Sequence, residues 1–410
     1  MYSIVSNLGP EIPFTLILLA LLGLRSNVTP RTSLWINSRL ENIWALIDVS
    51  DGKIENWGRT IVKSELVDAA SQTYRKTYTT TLMNGVQRPS TALFRIAERT
   101  ENQSIVLERC GLEGKSLNNE LLKITHHLSA ENSGTRLQTA YHWGSRPLIA
   151  QLLARADLWS GVYRLKGLAE NGMPDERPYY IISALVALIT GIFTLAAFGI
   201  MMGMTFALLL VFALFIHELG HLLAYRLMGQ PWGRMIFLPF LGAVAVPRLP
   251  FESQGQAVFA ALMGPGFSIL LAIVCAGHLL TGYPLIPLLY VLGMITAGVN
   301  LFNLIPAEPL DGGIALRSAF ARLIGRRAHY GLMAIGLLVV ASGLYFSQII
   351  LVIFGGMAVL ANLKSRAIDA GLVPLTTLQL CITGFGYVAI TAGHITLLRY
   401  FIEQVSHLPI

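Results

Sequence analysis

The chain has 410 residues, of which 54% are hydrophobic and only 13% charged, and its mean hydropathy is +0.58. An ordinary soluble domain carries about 25% charged residues, so these values exclude a disordered chain and disfavour an all-soluble one. The formal charge of +7 fits basic loops at a membrane better than nucleic-acid binding, and Cys110, Cys275 and Cys381 are too dispersed for a disulfide framework or a Cys-x-x-Cys motif.

In chain order, residues 12–24 form the first apolar stretch. It is short, no Lys or Arg precedes it, and Arg25 and Arg31 follow it. It reads as an uncleaved anchor rather than a signal-peptide core. A polar region follows. Residues 33–37 read as a strand, and a helix containing Ile43, Trp44 and Leu46 comes next. Period-two stretches rich in Thr, Tyr, Val and Ile then occupy 59–66, 72–81, 91–98, 103–109, 121–128 and 136–143. In the last of these, Leu137, Thr139, Tyr141 and Trp143 share one face. Short turns between successive strands predict an antiparallel meander. A helix over 147–168 closes the region, with Leu148, Leu152, Ala156, Trp159 and Tyr163 at helical spacing. His126 and His127 are adjacent on a strand and point to opposite faces, so they do not chelate one metal together.

Pro178 opens an apolar half. Residues 178–410 hold only 10 of the 30 Lys/Arg and 6 of the 23 Asp/Glu. Their uncharged gaps, measured against about 20 residues per span, predict two helices within 178–217 turning near Gly203. Two more fall within 253–307, divided near Gly282–Pro284. Two lie within 328–363, divided near Ser347–Gln348, and one lies within 370–398. That makes seven spans, or eight with residues 12–24. If the N-terminal domain is cytoplasmic, Arg226, Arg234, Arg248, Arg317, Arg322, Arg326, Arg327, Lys364 and Arg366 share its side and only Arg399 lies opposite, as the positive-inside rule requires.

The second span ends in His217-Glu218-Leu219-Gly220-His221. Positions i and i+4 share a helix face, so His217 and His221 can present two imidazoles to one zinc ion, with Glu218 beside them as a general base. Ionisable groups are costly in a bilayer, which makes the set hard to explain without a purpose. A catalytic zinc takes three protein ligands and leaves a position open. The membrane half has only six acids. Of these, Glu308 and Asp311, in Asn303-Leu304-Ile305-Pro306-Ala307-Glu308-Pro309-Leu310-Asp311-Gly312-Gly313, lie at a suitable depth for the third ligand.

The His-Glu-x-x-His motif, followed about ninety residues later by Asn-x-x-Pro-x-x-x-Leu-Asp-Gly, resembles the site-2 protease family of intramembrane zinc metalloproteases. Gly264-Pro265-Gly266 stands where that family has a Gly-Pro motif, without the usual small-residue-and-Asn continuation. Residues 237–246, with Gly242, match its membrane hairpin. The resemblance covers about 179–320. It implies Asp311 rather than Glu308 as the third ligand, one zinc per chain, Glu218 as the base and Asn303 as an active-site helper. It also implies a substrate with a single membrane span, cleaved in regulated intramembrane proteolysis. The strand–helix–meander–helix pattern over about 33–170 resembles the helix-grip fold of the START-like, polyketide-cyclase-like superfamily, which implies an apolar ligand between sheet and helix.

The expected architecture is therefore a mainly α polytopic membrane protein of seven to eight spans with an N-terminal α+β helix-grip domain. The expected segments are an anchor and linker (1–32), the soluble domain (33–170) and the metalloprotease domain (171–410). The expected location is the cell membrane, in contact with lipid. Two rival readings are a catalytically silent membrane receptor that senses lipid through the helix-grip domain, and a transporter. A transporter would spread ionisable residues over several spans, whereas here they gather at one end of two. The remaining histidines, His278, His329, His394 and His407, read as lying near span ends or the C-terminus and serving no metal.

Overall fold

The computed structural model describes residues 25–26, 29–112, 115–116, 122–142, 144, 146–239, 242–280, 287–307, 309–347, 349–363 and 372–406. The expected anchor at 12–24 and the division near 282–284 lie outside them. The chain forms two compact units, Met1–Leu185 and Val186–Ile410.

In the first unit, β1 (Arg25–Ser26) pairs with β11 (Arg146–Pro147). The main sheet has nine strands: β2 (Arg31–Ile36), β3 (Ile54–Trp57), β4 (Thr60–Asp68), β5 (Thr73–Thr81), β6 (Gln87–Thr100), β7 (Ser104–Leu112), β8 (Lys115–Ser116), β9 (Leu122–Glu131) and β10 (Gly134–His142). Their order is β2-β10-β9-β7-β6-β5-β4-β3, with β8 on β7, and every pairing is antiparallel. This is the expected meander, with the first long strand added beside the last. Asn102 and Asn132 take left-handed backbone at two of the hairpin turns, a conformation Asn tolerates better than most residues. The sequence reading missed β3, a four-residue edge strand whose Ile54 is exposed, because it shows little alternation.

Two helices flank the sheet: α1 (Leu40–Ile47) and α2 (Leu148–Asn171). One apolar core joins Ile36, Ile43, Ile105, Leu137, Leu158 and Val162. The face of α2 that is buried therefore differs from the one expected. Ala154, Leu158 and Val162 point inward, while Trp159 is 41% exposed. Apolar residues occur nearly all round this helix, so spacing alone does not select one stripe. His126 and His127 diverge as expected: His126 Nδ1 lies 2.9 Å from Thr139 Oγ1, and exposed His127 lies 3.0 Å from the Gln103 carbonyl.

Among its described residues the second part of the chain is mainly helical, with one hairpin and an isolated bridge between Ser253 and Val373. Its helices are α3 (Arg177–Met202), α4 (Met204–Leu227), α5 (Gln254–Leu280), α6 (Pro287–Asn303), α7 (Asp311–Ile324), α8 (Ala328–Tyr345), α9 (Ile349–Asn362) and α10 (Thr377–Ser406). Among the described residues, α3, α4, α5, α8 and α10 are long and apolar enough to cross a membrane. Helices α6 and α9, at 17 and 14 residues, are shorter. The break between α3 and α4 is the single residue Gly203, whose φ of 85° suits glycine. Between α4 and α5, β12 (Arg234–Leu238) and β13 (Gly242–Val246) form the expected antiparallel hairpin.

Candidate metal centre

The site takes its side chains from two helices of the second unit, α4 and α7. Helix α4 contributes His217, Glu218 and His221, all buried, and α7 contributes Asp311, also buried. Asp311 opens its helix, where the N-terminal dipole favours a carboxylate. It follows a tight turn in which Gly312 packs directly on the Leu304 carbonyl, leaving no room for a Cβ. Tyr387 Oη and Asn362 Nδ2 fix that turn by donating to the Leu304 and Pro306 carbonyls at 2.6 and 3.3 Å.

Three ligand atoms converge. His217 Nε2 and His221 Nε2 are 3.1 Å apart, and Asp311 Oδ2 lies 3.2 Å from the first and 3.5 Å from the second. The other ring nitrogens fix the tautomers. His221 Nδ1 lies 2.7 Å from the Ala260 carbonyl, which can only accept, so Nδ1 carries the proton and Nε2 is bare in the neutral ring. His217 Nδ1 lies 2.7 Å from Asn300 Oδ1. The Asn300 amide is oriented by its own donation from Nδ2 to the Thr296 carbonyl at 2.7 Å, so its oxygen faces the ring. Two bare imidazole nitrogens and a carboxylate oxygen thus point lone pairs at one another. A tetrahedral zinc with bonds of about 2.0–2.1 Å sets ligand–ligand edges of roughly 3.3 Å. The observed edges bracket that value, and Asp311 Oδ2 and Glu218 Oε2 are buried without hydrogen-bond partners. The donor set fits zinc.

Glu218 lies beside the trio, and ligand atoms of His217, Glu218 and His221 fall within 4.8 Å of one another. Its carboxylate accepts a hydrogen bond from the backbone N–H of Ala245 in β13. Tyr225, two turns further along α4, donates to the Ala245 carbonyl at 3.0 Å. On the far side, α5 approaches so closely that a Cβ on Gly264 would strike the His221 ring, and a Cβ on Gly220 would strike the Met263 carbonyl. Gly220 is one of the two unspecified positions of the His-Glu-x-x-His motif, and this contact explains its identity here. His394, fully buried inside α10 rather than near a span end, lies with Nε2 2.9 Å from the Pro265 carbonyl.

The geometry therefore gathers His217, Glu218, His221 and Asp311. Glu308 lies outside the described residues. Asn303 bonds back to the Val299 carbonyl of its own helix at 3.1 Å, whereas Asn300, one turn earlier, touches His217. The sequence reading missed Asn300. The available signal was a second Asn at i−3 on the apolar helix that precedes the aspartate.

Residues 281–343, which include Asp311, match the family model described as Peptidase family M50. The membrane half resembles the site-2 proteases of family M50. Zinc metalloprotease MJ0392 of Methanocaldococcus jannaschii is 32% identical over 124 residues, 29% of this chain and 35% of that protein. A relative from Synechocystis is 33% identical over 129 residues, 31% of this chain and 34% of its own length. The chain thus spans about a third of the length of the curated relatives it matches. Among solved structures, the site-2 protease from Methanocaldococcus jannaschii is similar at 25% identity and TM-score 0.31, over 44% of this chain and 88% of its own. A START superfamily protein from Mycobacterium smegmatis is similar at 11% identity and TM-score 0.25, over 34% of this chain and 96% of its own.

Proposed function

We propose that the chain is an intramembrane zinc metalloprotease of the site-2 type, cleaving peptide bonds in or near the membrane span of a protein substrate. The observation that carries this reading is the convergence of His217 Nε2, His221 Nε2 and Asp311 Oδ2 to mutual distances of 3.1–3.5 Å, with each Nδ1 already committed elsewhere. His217, His221 and Asp311 would hold one zinc. When bound, zinc acts as a Lewis acid and lowers the pKa of water toward neutrality. Glu218 takes the proton of the attacking water and returns it to the leaving amine. Asn300 holds the His217 ring in its tautomer, in the manner of outer-shell partners at metal sites. Asn303, the helper suggested by the family motif, lies a turn further along, at the end of α6.

The β12–β13 hairpin supplies a strand edge on which an unwound substrate can pair by strand addition. The same reading divides the chain into an anchor and linker (1–32), a helix-grip domain (33–170) and the protease domain (171–410). The two short apolar helices, α6 and α9, would complete seven spans, and residues 12–24 an eighth. The positive-inside bias of Lys and Arg supports a cytoplasmic N-terminal domain and a location in the cell membrane.

The test combines zinc analysis with cleavage of a single-span substrate by the purified protein. One zinc per chain, retained in Glu218→Gln with cleavage lost, supports the reading. Zinc-free wild-type protein overturns it in favour of a silent receptor, and wild-type cleavage by Glu218→Gln removes Glu218 as the base.

A further inference from the structure

Helix α10 supplies no metal ligand, yet two of its side chains reach the backbone on both sides of the metal centre. Tyr387 and His394 are seven residues apart and so lie on one face of the helix, two turns from each other. Tyr387 Oη donates to the Leu304 carbonyl at 2.6 Å, and that carbonyl is the one on which Gly312, the neighbour of Asp311, packs. His394 lies with Nε2 2.9 Å from the Pro265 carbonyl of α5, and Pro265 follows Gly264, the residue against which the imidazoles stand. A Cβ on Gly264 would strike the His221 ring and lie 3.0 Å from His217 Cε1. The same face of α10 also packs on its neighbours. Tyr387 rests on the cluster of Val258 from α5 and Ala315 from α7, and Ile390 lies where a Cβ on Gly266 would meet it at 3.3 Å.

Helix α5 is weakened at this point. Pro265 has no N–H, so the Ala261 carbonyl, four residues earlier, loses its helical donor and the helix can bend there. The carbonyls around the break take side-chain donors instead: Ala260 from His221 Nδ1 at 2.7 Å, Gly264 from Ser268 Oγ at 3.0 Å, and Pro265 from His394. Of these donors, only His394 comes from a helix outside the centre and its wall. Its presence carries a cost. The Pro265 carbonyl can only accept, so Nε2 carries the proton and Nδ1 presents a bare lone pair. The residue is fully buried, and among the described residues Nδ1 has no hydrogen-bond partner. An unpaired buried acceptor destabilises the fold. An apolar side chain would avoid that, but would leave Pro265 without this donor.

We propose that Tyr387 and His394 are positioning residues for the metal centre, each pinning one backbone carbonyl so that the two imidazoles and Asp311 are held at ligating distance from one another. Neither side chain is a ligand; each acts through the backbone next to a residue that touches or carries one. The inference rests on the zinc reading of His217, His221 and Asp311 given above.

Chelator competition for zinc, on the full-length protein in lipid nanodiscs, tests it. His394→Leu and Tyr387→Phe should each weaken zinc by at least about tenfold, the scale on which a metal site responds to loss of a supporting partner. His394→Gln, whose amide can donate to the same carbonyl, should stay within about threefold of wild type. Thr383→Val is the control. Thr383 is buried on α10 but donates to the Gln379 carbonyl of its own helix at 2.7 Å, so its loss should leave zinc affinity unchanged. The cobalt-substituted protein gives a second reading, because its visible absorption follows ligand geometry: the bands should shift in His394→Leu and not in His394→Gln. Tyr387→Phe removes a single hydroxyl, which keeps the test open if His394→Leu fails to fold. Wild-type affinity in either Tyr387→Phe or folded His394→Leu overturns the proposal alone and leaves the zinc reading standing. A loss that His394→Gln or Thr383→Val shares also overturns it, as the mark of ordinary helix packing. Wild-type protein that binds no zinc overturns the zinc reading and this inference with it.

Discussion

In the membrane half, His217, His221 and Asp311 are buried together, and the ring nitrogens that do not face the trio are bonded to Asn300 and to the Ala260 carbonyl. In the N-terminal unit, Lys76 is buried alone, with nearby acids turned to other partners. Both arrangements place ionisable groups where water is scarce, which costs free energy unless neighbouring groups compensate. The first is closed on all sides by side chains that fix orientation, as a metal requires. The second rests on an aromatic face, with Lys76 Nζ 5.9 Å from the centroid of the Phe94 ring. The difference lies in the neighbours: converging lone pairs leave room for a cation, whereas a lone ammonium on an aromatic ring does not.

The largest effects should come from the trio. His217→Ala or Asp311→Ala should bring zinc from one per chain to near none by elemental analysis, and abolish cleavage. Glu218→Gln should keep the zinc and lower kcat by about 10²–10⁴-fold in a single-span substrate assay. This separates the residues that bind the metal from the one that moves the proton. Gly264→Ala comes next. Its Cβ has no room beside the His221 ring, so zinc affinity should fall by at least about tenfold in a chelator competition although no ligand is changed.

Asn300→Ala should weaken zinc by about 10–100-fold, the usual penalty for losing an outer-shell partner. Asn303→Ala should leave zinc affinity unchanged, because its amide bonds to its own helix. Equal effects of the two substitutions would erase the distinction between the asparagine that orients a ring and the one that does not.

The smallest effect concerns the N-terminal unit. Burial, followed by the charge of Lys76, lowers the His126 imidazole to about 4. The unfolded chain therefore binds a proton below about pH 6.5 that the folded unit refuses until about pH 4. Stability of this unit rises with pH across that window and is lost on acidification. Amide exchange in β9 and β10 of the full chain should accelerate as pH falls from 6.5 to 4, by at most roughly tenfold per unit beyond the intrinsic rate.

Much of the metal centre was legible because its chemistry is written in short-range spacing. Two histidines four apart need only a helix to meet. Asp311 was harder, since its pairing with them depends on the turn after α6 and on how α7 packs against α5, and the family motif supplied it. Asn300 was not legible, because nothing local distinguishes it from Asn303; only the rotation of α6 decides which one faces His217. In the N-terminal unit the strands were readable from alternation, and Lys76 carried a usable signal in its shared parity with Tyr74 and Tyr78. The inward face of α2 was misread, because Trp159 lies on an apolar side of the helix that the core does not use.

The hydrogen-bond distance between His394 and the Pro265 carbonyl bears on biogenesis. Pro265 adjoins Gly264, against which both imidazoles pack, so the last described helix braces the wall of a centre whose ligands come from far earlier in the chain. A nascent chain that has inserted only as far as Asp311 has its full set of ligands but not its scaffold. The wall around His217 and His221 is therefore complete only once α10 has been synthesised and packed against α5.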